Sequence, residues 1–73
     1  MSILKRGSVS EAVKALQNDL NTIGVTVDTD GIFGPGTEKG VKTFQTASGI
    51  EADGVVGPNT LAKLAEAVAA TKG

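Results

Sequence analysis

The sequence predicts an all-α fold, a small orthogonal three-helix bundle with pseudo-repeated turn–helix units. Apolar residues recur at helical spacing in three segments, residues that begin or end helices flank those segments, and one eight-residue pattern occurs twice. The 73 residues are enough for one domain, residues 1–73. With 40% hydrophobic and 21% charged residues, the composition is that of a globular protein.

Helix 1 is predicted over about residues 9–23. Ser8 as the N-cap and Glu11 three residues later form the pattern of a capping box. Gly24 follows as a residue that can adopt a positive φ and end the helix. The segment Val25–Val27 is short and β-branched, which favours an extended conformation. The apolar face of the helix consists of Val9, Val13, Leu16, Leu20 and Ile23.

A repeated pattern, Asp-Gly-(Ile/Val)-x-Gly-Pro-x-Thr, leads into helices 2 and 3. It occupies residues 30–37 and again residues 53–60. In each copy Asp and Gly predict a turn, and Pro suits the first position of a helix because its missing N–H has no helical partner there. Helix 2 is predicted over about residues 35–48, with Gly49 at its end, and helix 3 over about residues 58–70. The structural turn residues are Asp30, Gly31, Gly34, Pro35, Asp53, Gly54, Gly57 and Pro58.

The predicted core combines one face of each helix with apolar residues beside the turns. Gly40 is unusual inside helix 2, where Gly costs about 1 kcal/mol relative to Ala. Either another element comes close to it or the position tolerates the cost. The core residues are Val9, Val13, Leu16, Leu20, Ile23, Ile32, Val41, Phe44, Ile50, Val55, Leu61, Leu64 and Val68.

The composition excludes several classes of protein. There is no Cys and no His, which excludes disulfides, zinc fingers and catalysis by a Cys or His side chain. A net charge of −1 with no Trp or Tyr argues against nucleic-acid binding. The sequence shows no signal peptide and no apolar run long enough to span a bilayer, so we expect no membrane partner. We also expect no cofactor.

The turn around Asp28 and Asp30 has two functional interpretations, a catalytic acid–base pair and a metal site. The two carboxylates could form an acid–base pair, but Asp in such turns more often accepts hydrogen bonds from backbone N–H groups. The segment also resembles the middle of an EF-hand loop. The first and twelfth positions of that loop would be Thr26 and Thr37, which supply no carboxylate, so no metal site is predicted.

Several segments, in order, resemble the peptidoglycan-binding-like domain family of small three-helix cell-wall modules. Besides the repeated pattern, they are the Val-x-x-Leu-Gln-x-x-Leu-x-x-Ile-Gly sequence that begins at Val13 and the helix 2 sequence from Thr37 to Ile50. The similarity runs from about Leu4 to Leu64, nearly the whole chain.

This resemblance implies non-catalytic binding of bacterial cell-wall peptidoglycan. The chain would anchor or target a wall-degrading enzyme such as an endolysin, amidase or transglycosylase, as a monomer or fused to the catalytic domain. It would act in the cell wall or periplasm of bacteria, or be phage-encoded and act there. The alternative is a protein–protein interaction module that retains the fold, and an enzyme working through carboxylates is a third hypothesis.

The predicted binding surface lies at the start of helix 2. Stem peptides carry carboxylates, and the free N–H groups of a helix N-terminus favour anions. Scarce aromatic residues favour the stem peptide over the glycan as the ligand. Phe33 could contact a sugar or pack in the core. Gly36 and Gly40 could expose the helix backbone to a ligand or let another helix pack closely. The candidate ligand residues are Thr29, Phe33, Gly36, Thr37, Lys39 and Gly40.

Overall fold

Three helices make up most of the computed structural model, which describes residues 3–72. They are α1 (Glu11–Thr22), α2 (Pro35–Ala47) and α3 (Pro58–Lys72). Within residues 3–72 there is no β-strand, and only two isolated antiparallel bridges join extended segments. The predicted all-α, three-helix fold is therefore confirmed.

Helix α1 begins two residues later than predicted, and the predicted capping box at Ser8 is wrong. Ser10 is the N-cap, and its Oγ accepts a hydrogen bond from the N–H of Val13 at 3.3 Å. The Oγ of Ser8 instead accepts from the N–H of Lys5 at 3.2 Å, and its carbonyl accepts from the N–H of Phe33 at 2.8 Å. Because this pairing keeps Ser8 extended, the helix can start only beyond it.

Helix α1 ends in a Schellman motif, as the position of Gly24 suggested. Gly24 has a φ of 94°, its N–H donates to the carbonyl of Asn21 at 3.1 Å, and the N–H of Val25 donates to that of Leu20 at 2.8 Å. Helix α2 ends in the same way at Gly49, which has a φ of 74°. Both chain reversals thus depend on a glycine in the left-handed region.

The extended N-terminal segment is hydrogen-bonded to both copies of the repeated turn. Leu4 pairs with Val56 through two backbone hydrogen bonds of 3.0 and 2.7 Å. Further along, the N–H of Gly7 donates to the carbonyl of Phe33 at 2.9 Å, beside the bond that joins Phe33 to Ser8. The segment therefore connects the two turn–helix units to each other.

The buried core lies where the three helices meet the two turns. Ile23 and Val68, both predicted core residues, are half-buried and pack against it. Ile50 and Val55 are also half-buried. The buried apolar residues are Leu4, Val13, Leu16, Leu20, Phe33, Val41, Phe44, Val56 and Leu64.

Three predicted core residues are wrong, because Val9 is 70% exposed, Ile32 50% and Leu61 39%. Val9 and Ile32 face each other across an antiparallel bridge at the surface. Side chains alternate between faces along an extended segment, so an outward Ile32 places its neighbour Phe33 inside. The same register makes Val56, rather than Val55, the fully buried residue of the second copy.

Candidate functional site

A buried glutamine on α1 organises the first repeated turn. The side chain of Gln17 is fully buried. Its Nε2 donates to Asp30 Oδ1, the Ile32 carbonyl and Thr37 Oγ1, each at 3.0 Å. Its Oε1 accepts from the N–H of Gly31 at 2.8 Å. Because Nε2 carries two protons and has three acceptors, at least one of these hydrogen bonds is shared.

Gln45 on α2 makes the same contacts to the second turn. Its Nε2 donates to Asp53 Oδ1 at 3.1 Å and to the Val55 carbonyl and Thr60 Oγ1 at 3.0 Å. Its Oε1 accepts from the N–H of Gly54 at 3.0 Å. Each helix therefore holds the turn that opens the next helix.

The predicted role of Asp30 and Asp53 in their turns agrees with their contacts. Asp30 Oδ1 accepts from the N–H of Ile32 at 3.0 Å, and Asp53 Oδ1 accepts from that of Val55 at 2.9 Å. These backbone hydrogen bonds are the main reason that the pKa of each carboxyl lies below its ordinary value.

Sequence reasoning missed both glutamines as structural residues, although the sequence carries a signal for them. Gln17 lies four residues after Val13 and three before Leu20, on the apolar face of α1. Gln45 follows Val41 at the same spacing on α2. A polar residue in such a position, repeated before each turn, indicates a buried hydrogen-bonding role.

Two of the predicted ligand residues are not available at the surface. Phe33 is 1% exposed and belongs to the core, so the packing alternative holds for it. Thr37 is 4% exposed, and its hydroxyl is hydrogen-bonded to Gln17. Their counterparts in the second copy, Val56 and Thr60, are buried in the same way, because the repeat preserves the packing of each turn.

Three other predicted ligand residues, Gly36, Lys39 and Gly40, line one groove between α2 and the extended segment that follows α1. Its volume is about 430 Å³. Thr29 is exposed but does not line it. We call this depression the α2 groove; it is lined by Gly24, Val25, Thr26, Gly36, Lys39, Gly40 and Thr43.

The two glycines on α2 differ in their surroundings. A Cβ on Gly40 would lie 2.6 Å from Val27 Cγ1 and 3.2 Å from Val25 Cγ1, so this glycine allows the extended segment to pack against the helix. A Cβ on Gly36 would meet nothing within 4 Å. Close packing therefore accounts for Gly40, while Gly36, which is exposed and also lines the groove, leaves open space beside it.

A broader depression of about 590 Å³ follows the exposed side of α2. Only residues of that one helix line it, and it includes Lys39, Lys42 and Thr43. Glu38, at its edge, forms an exposed ion pair with Arg6 at 3.8 Å. Because no second element forms a wall there, the α2 groove is the better enclosed candidate.

Within residues 3–72, no three acidic side chains are grouped so that they could hold a metal ion. In the same part of the chain, no helix combines the length and the apolar character needed to cross a membrane.

Known proteins are similar to this chain in both sequence and fold. Residues 9–64 match the family model described as "Putative peptidoglycan binding domain". The zinc D-Ala-D-Ala carboxypeptidase of Streptomyces albus G is 42% identical over 64 residues, which cover 84% of this chain and 25% of the carboxypeptidase.

Two solved structures superpose closely on this fold. The SleB N-terminal domain has a TM-score of 0.88 and 35% identity, with 92% of this chain and 93% of that domain covered. The endolysin of Burkholderia AP3 phage has a TM-score of 0.84 and 36% identity, with 86% of this chain and 24% of the endolysin covered. The chain spans between 19% and 54% of the length of six curated relatives that it matches. The family match covers most of the sequence, and the chain therefore belongs to the peptidoglycan-binding domain family.

Proposed function

We propose that this chain binds bacterial cell-wall peptidoglycan without catalysis and holds a wall-degrading enzyme on its polymer. The observation that carries the proposal is the family match over residues 9–64. A chain that spans only a quarter of a carboxypeptidase and of an endolysin is suited to be a module beside a catalytic domain. It would act in the cell wall or periplasm, where that polymer lies.

The α2 groove is the proposed binding surface. Gly36 lets a ligand approach the backbone, and the Lys39 ammonium at the rim can pair with a carboxylate of the stem peptide. The Thr43 hydroxyl donates to the carbonyl of Lys39 at 3.0 Å, which leaves its oxygen free to accept a hydrogen bond from a ligand N–H. These groups match the polar, charged chemistry of the peptide.

The stem peptide is the proposed ligand because the chain offers no aromatic surface for sugars. Binding a sugar ring by stacking requires an exposed aromatic face. Phe33 and Phe44 are the only aromatic residues, and they are 1% and 5% exposed. Hydrogen bonds and an ion pair to the peptide remain as the main sources of affinity.

Sedimentation with purified sacculi tests this proposal. Gly36→Arg should reduce binding at least several-fold, because the new side chain would occupy space in the groove where the ligand is proposed to approach. Asn59→Arg is the matched control, since Asn59 occupies the same position in the second copy of the repeat and is exposed. It should bind like the unmodified chain.

The outcomes separate the alternatives. Normal binding by a folded Gly36→Arg variant would place the ligand outside the α2 groove. If the unmodified chain does not sediment with sacculi but binds a protein from an extract of the same cells, the interaction-module alternative is favoured. Release of muropeptides by the chain alone would contradict a non-catalytic role.

A further inference from the structure

The two turn–helix copies differ in length at one place. Gln17 and Asp30 are 13 positions apart, whereas Gln45 and Asp53 are 8 apart. The additional residues of the first copy lengthen α1 and the loop that follows it. They supply Asn21 and the segment Val25–Val27, which forms one wall of the α2 groove. The groove thus lies where the first copy departs from the second.

Asn21 ties this wall to α1, and the side chains of Val25 and Val27 both lie against Gly40, as alternate residues of an extended segment do. Its Nδ2 donates to the carbonyl of Val27, and its Oδ1 accepts from the N–H of Val27, both at 2.9 Å. The N–H of Val25 also donates toward α1, to the carbonyl of Leu20 at 2.8 Å. The peptide N–H groups on either side of Thr26 are therefore directed at α1.

Thr26 lies between these two anchored residues with its backbone groups unused. In an extended chain the N–H and C=O of successive residues are directed at opposite edges. Those of Thr26 are accordingly directed away from α1. Neither group has a hydrogen-bond partner within residues 3–72, and Thr26 is exposed and lines the groove.

We infer that the free edge at Thr26 pairs with the main chain of an extended stem peptide that lies in the α2 groove. The inference rests on the proposed function and adds how the ligand is held. A peptide alongside Thr26 would accept from its N–H and donate to its carbonyl, as in other cases where a peptide adds to an exposed strand edge. Gly36 leaves space for the peptide next to α2, and the Lys39 ammonium would form an ion pair with the peptide carboxylate.

Thr26→Pro tests the inference because proline removes the N–H of this residue. Proline also favours an extended residue before it, which agrees with the shared contact of Val25 and Val27 with Gly40. The matched control is Thr26→Val, which keeps the N–H and replaces only the hydroxyl with a methyl group of similar size. With a soluble muropeptide carrying its stem peptide as the probe, Thr26→Pro should bind between about twofold and tenfold more weakly, as for loss of one hydrogen bond. Thr26→Val should bind as the unmodified chain does.

Amide hydrogen exchange in the unmodified chain provides a measurement that does not depend on the proline variant folding. Addition of the muropeptide should slow exchange of the Thr26 amide. Unchanged exchange at saturation, or equal affinity of a folded Thr26→Pro variant, would overturn the edge pairing. Glycan strands stripped of their peptides should not compete with the muropeptide, and competition by them would also overturn it.

The proposed function can survive failure of this inference. If Gly36→Arg abolishes binding to sacculi while Thr26→Pro does not weaken binding to the muropeptide, the groove is the site but the Thr26 edge does not pair. If Gly36→Arg also binds normally, the groove itself is excluded, and the inference is overturned together with the proposed surface.

Discussion

The fully buried amide of Gln17 connects α1 to the first repeated turn and to the start of α2. The amide contacts the turn at Asp30 and Gly31 and the backbone carbonyl of Ile32, the residue after the turn. It also contacts Thr37 in the first turn of α2. The glutamine amide offers two N–H donors and one oxygen acceptor without a charge, at the end of a side chain long enough to reach the turn. An apolar residue of similar volume would leave several buried polar groups unpaired.

Gln17→Met should therefore lower the free energy of unfolding by about 1–3 kcal/mol, the usual cost of buried polar groups without partners. Urea denaturation followed by circular dichroism measures it. Asn18→Met serves as the control because Asn18 is adjacent on α1 and exposed. Equal stability of the two variants would show that the glutamine contacts contribute little.

Among the structural elements, the segment Val25–Val27 determines the shape of the α2 groove, because it packs against α2. Val25 and Val27 lie over Gly40, while Asn21 of α1 holds the same segment from its other side. The segment is thus fixed between two helices. The sequence favoured an extended segment at Val25–Val27 and left open whether another element comes close to Gly40, and it did not indicate that this segment would be that element.

Substitutions at the two α2 glycines should have different effects. Gly40→Ala should lower the free energy of unfolding by about 1–3 kcal/mol, because its Cβ overlaps Val27 and the segment must move. Gly36→Ala meets no neighbour and should be neutral or stabilise the chain by up to about 1 kcal/mol. Chemical denaturation of both variants measures the difference. Stabilisation by Gly40→Ala would mean that the segment is not tightly packed.

Across the whole molecule, the sequence predicted the number and approximate ends of the helices. It did not predict which residues of the extended segments face the core. The repeated pattern and the helical spacing gave three helices with ends within about two residues of those observed. The choice between Ile32 and Phe33 as the buried neighbour depends on pairing with Val9, which is distant in sequence. For the same reason Ser10, and not Ser8, is the N-cap of α1. Long-range pairing decides these details, and local patterns do not encode it.

The stability of the whole molecule should fall in acid, because each copy contains an Asp whose pKa is lowered by backbone hydrogen bonds. A carboxylate with a folded pKa below its unfolded value of 3.8 adds stability above that value. The contribution disappears as pH falls through the lowered folded pKa. The free energy of unfolding should therefore decline as pH drops below about 5.

Urea titrations at several pH values measure this decline. The double variant Asp30→Asn and Asp53→Asn should show a shallower decline than the unmodified chain. Asp28→Asn is the control, since the side chain of Asp28 accepts no hydrogen bond within residues 3–72. A double variant with the same acid profile as the unmodified chain would contradict the linkage.

The pairing of Leu4 with Val56 has a consequence for how the chain folds. Its partners are 52 residues apart in sequence, so the contact closes a loop of most of the chain. Contacts of such separation form late, because the entropy of loop closure must be overcome before they add stability. On the ribosome, the first helix and first turn can assemble early, but Leu4 stays without its buried site until Val56 has left the exit tunnel. Completion of the core is therefore a step that follows synthesis of the second copy.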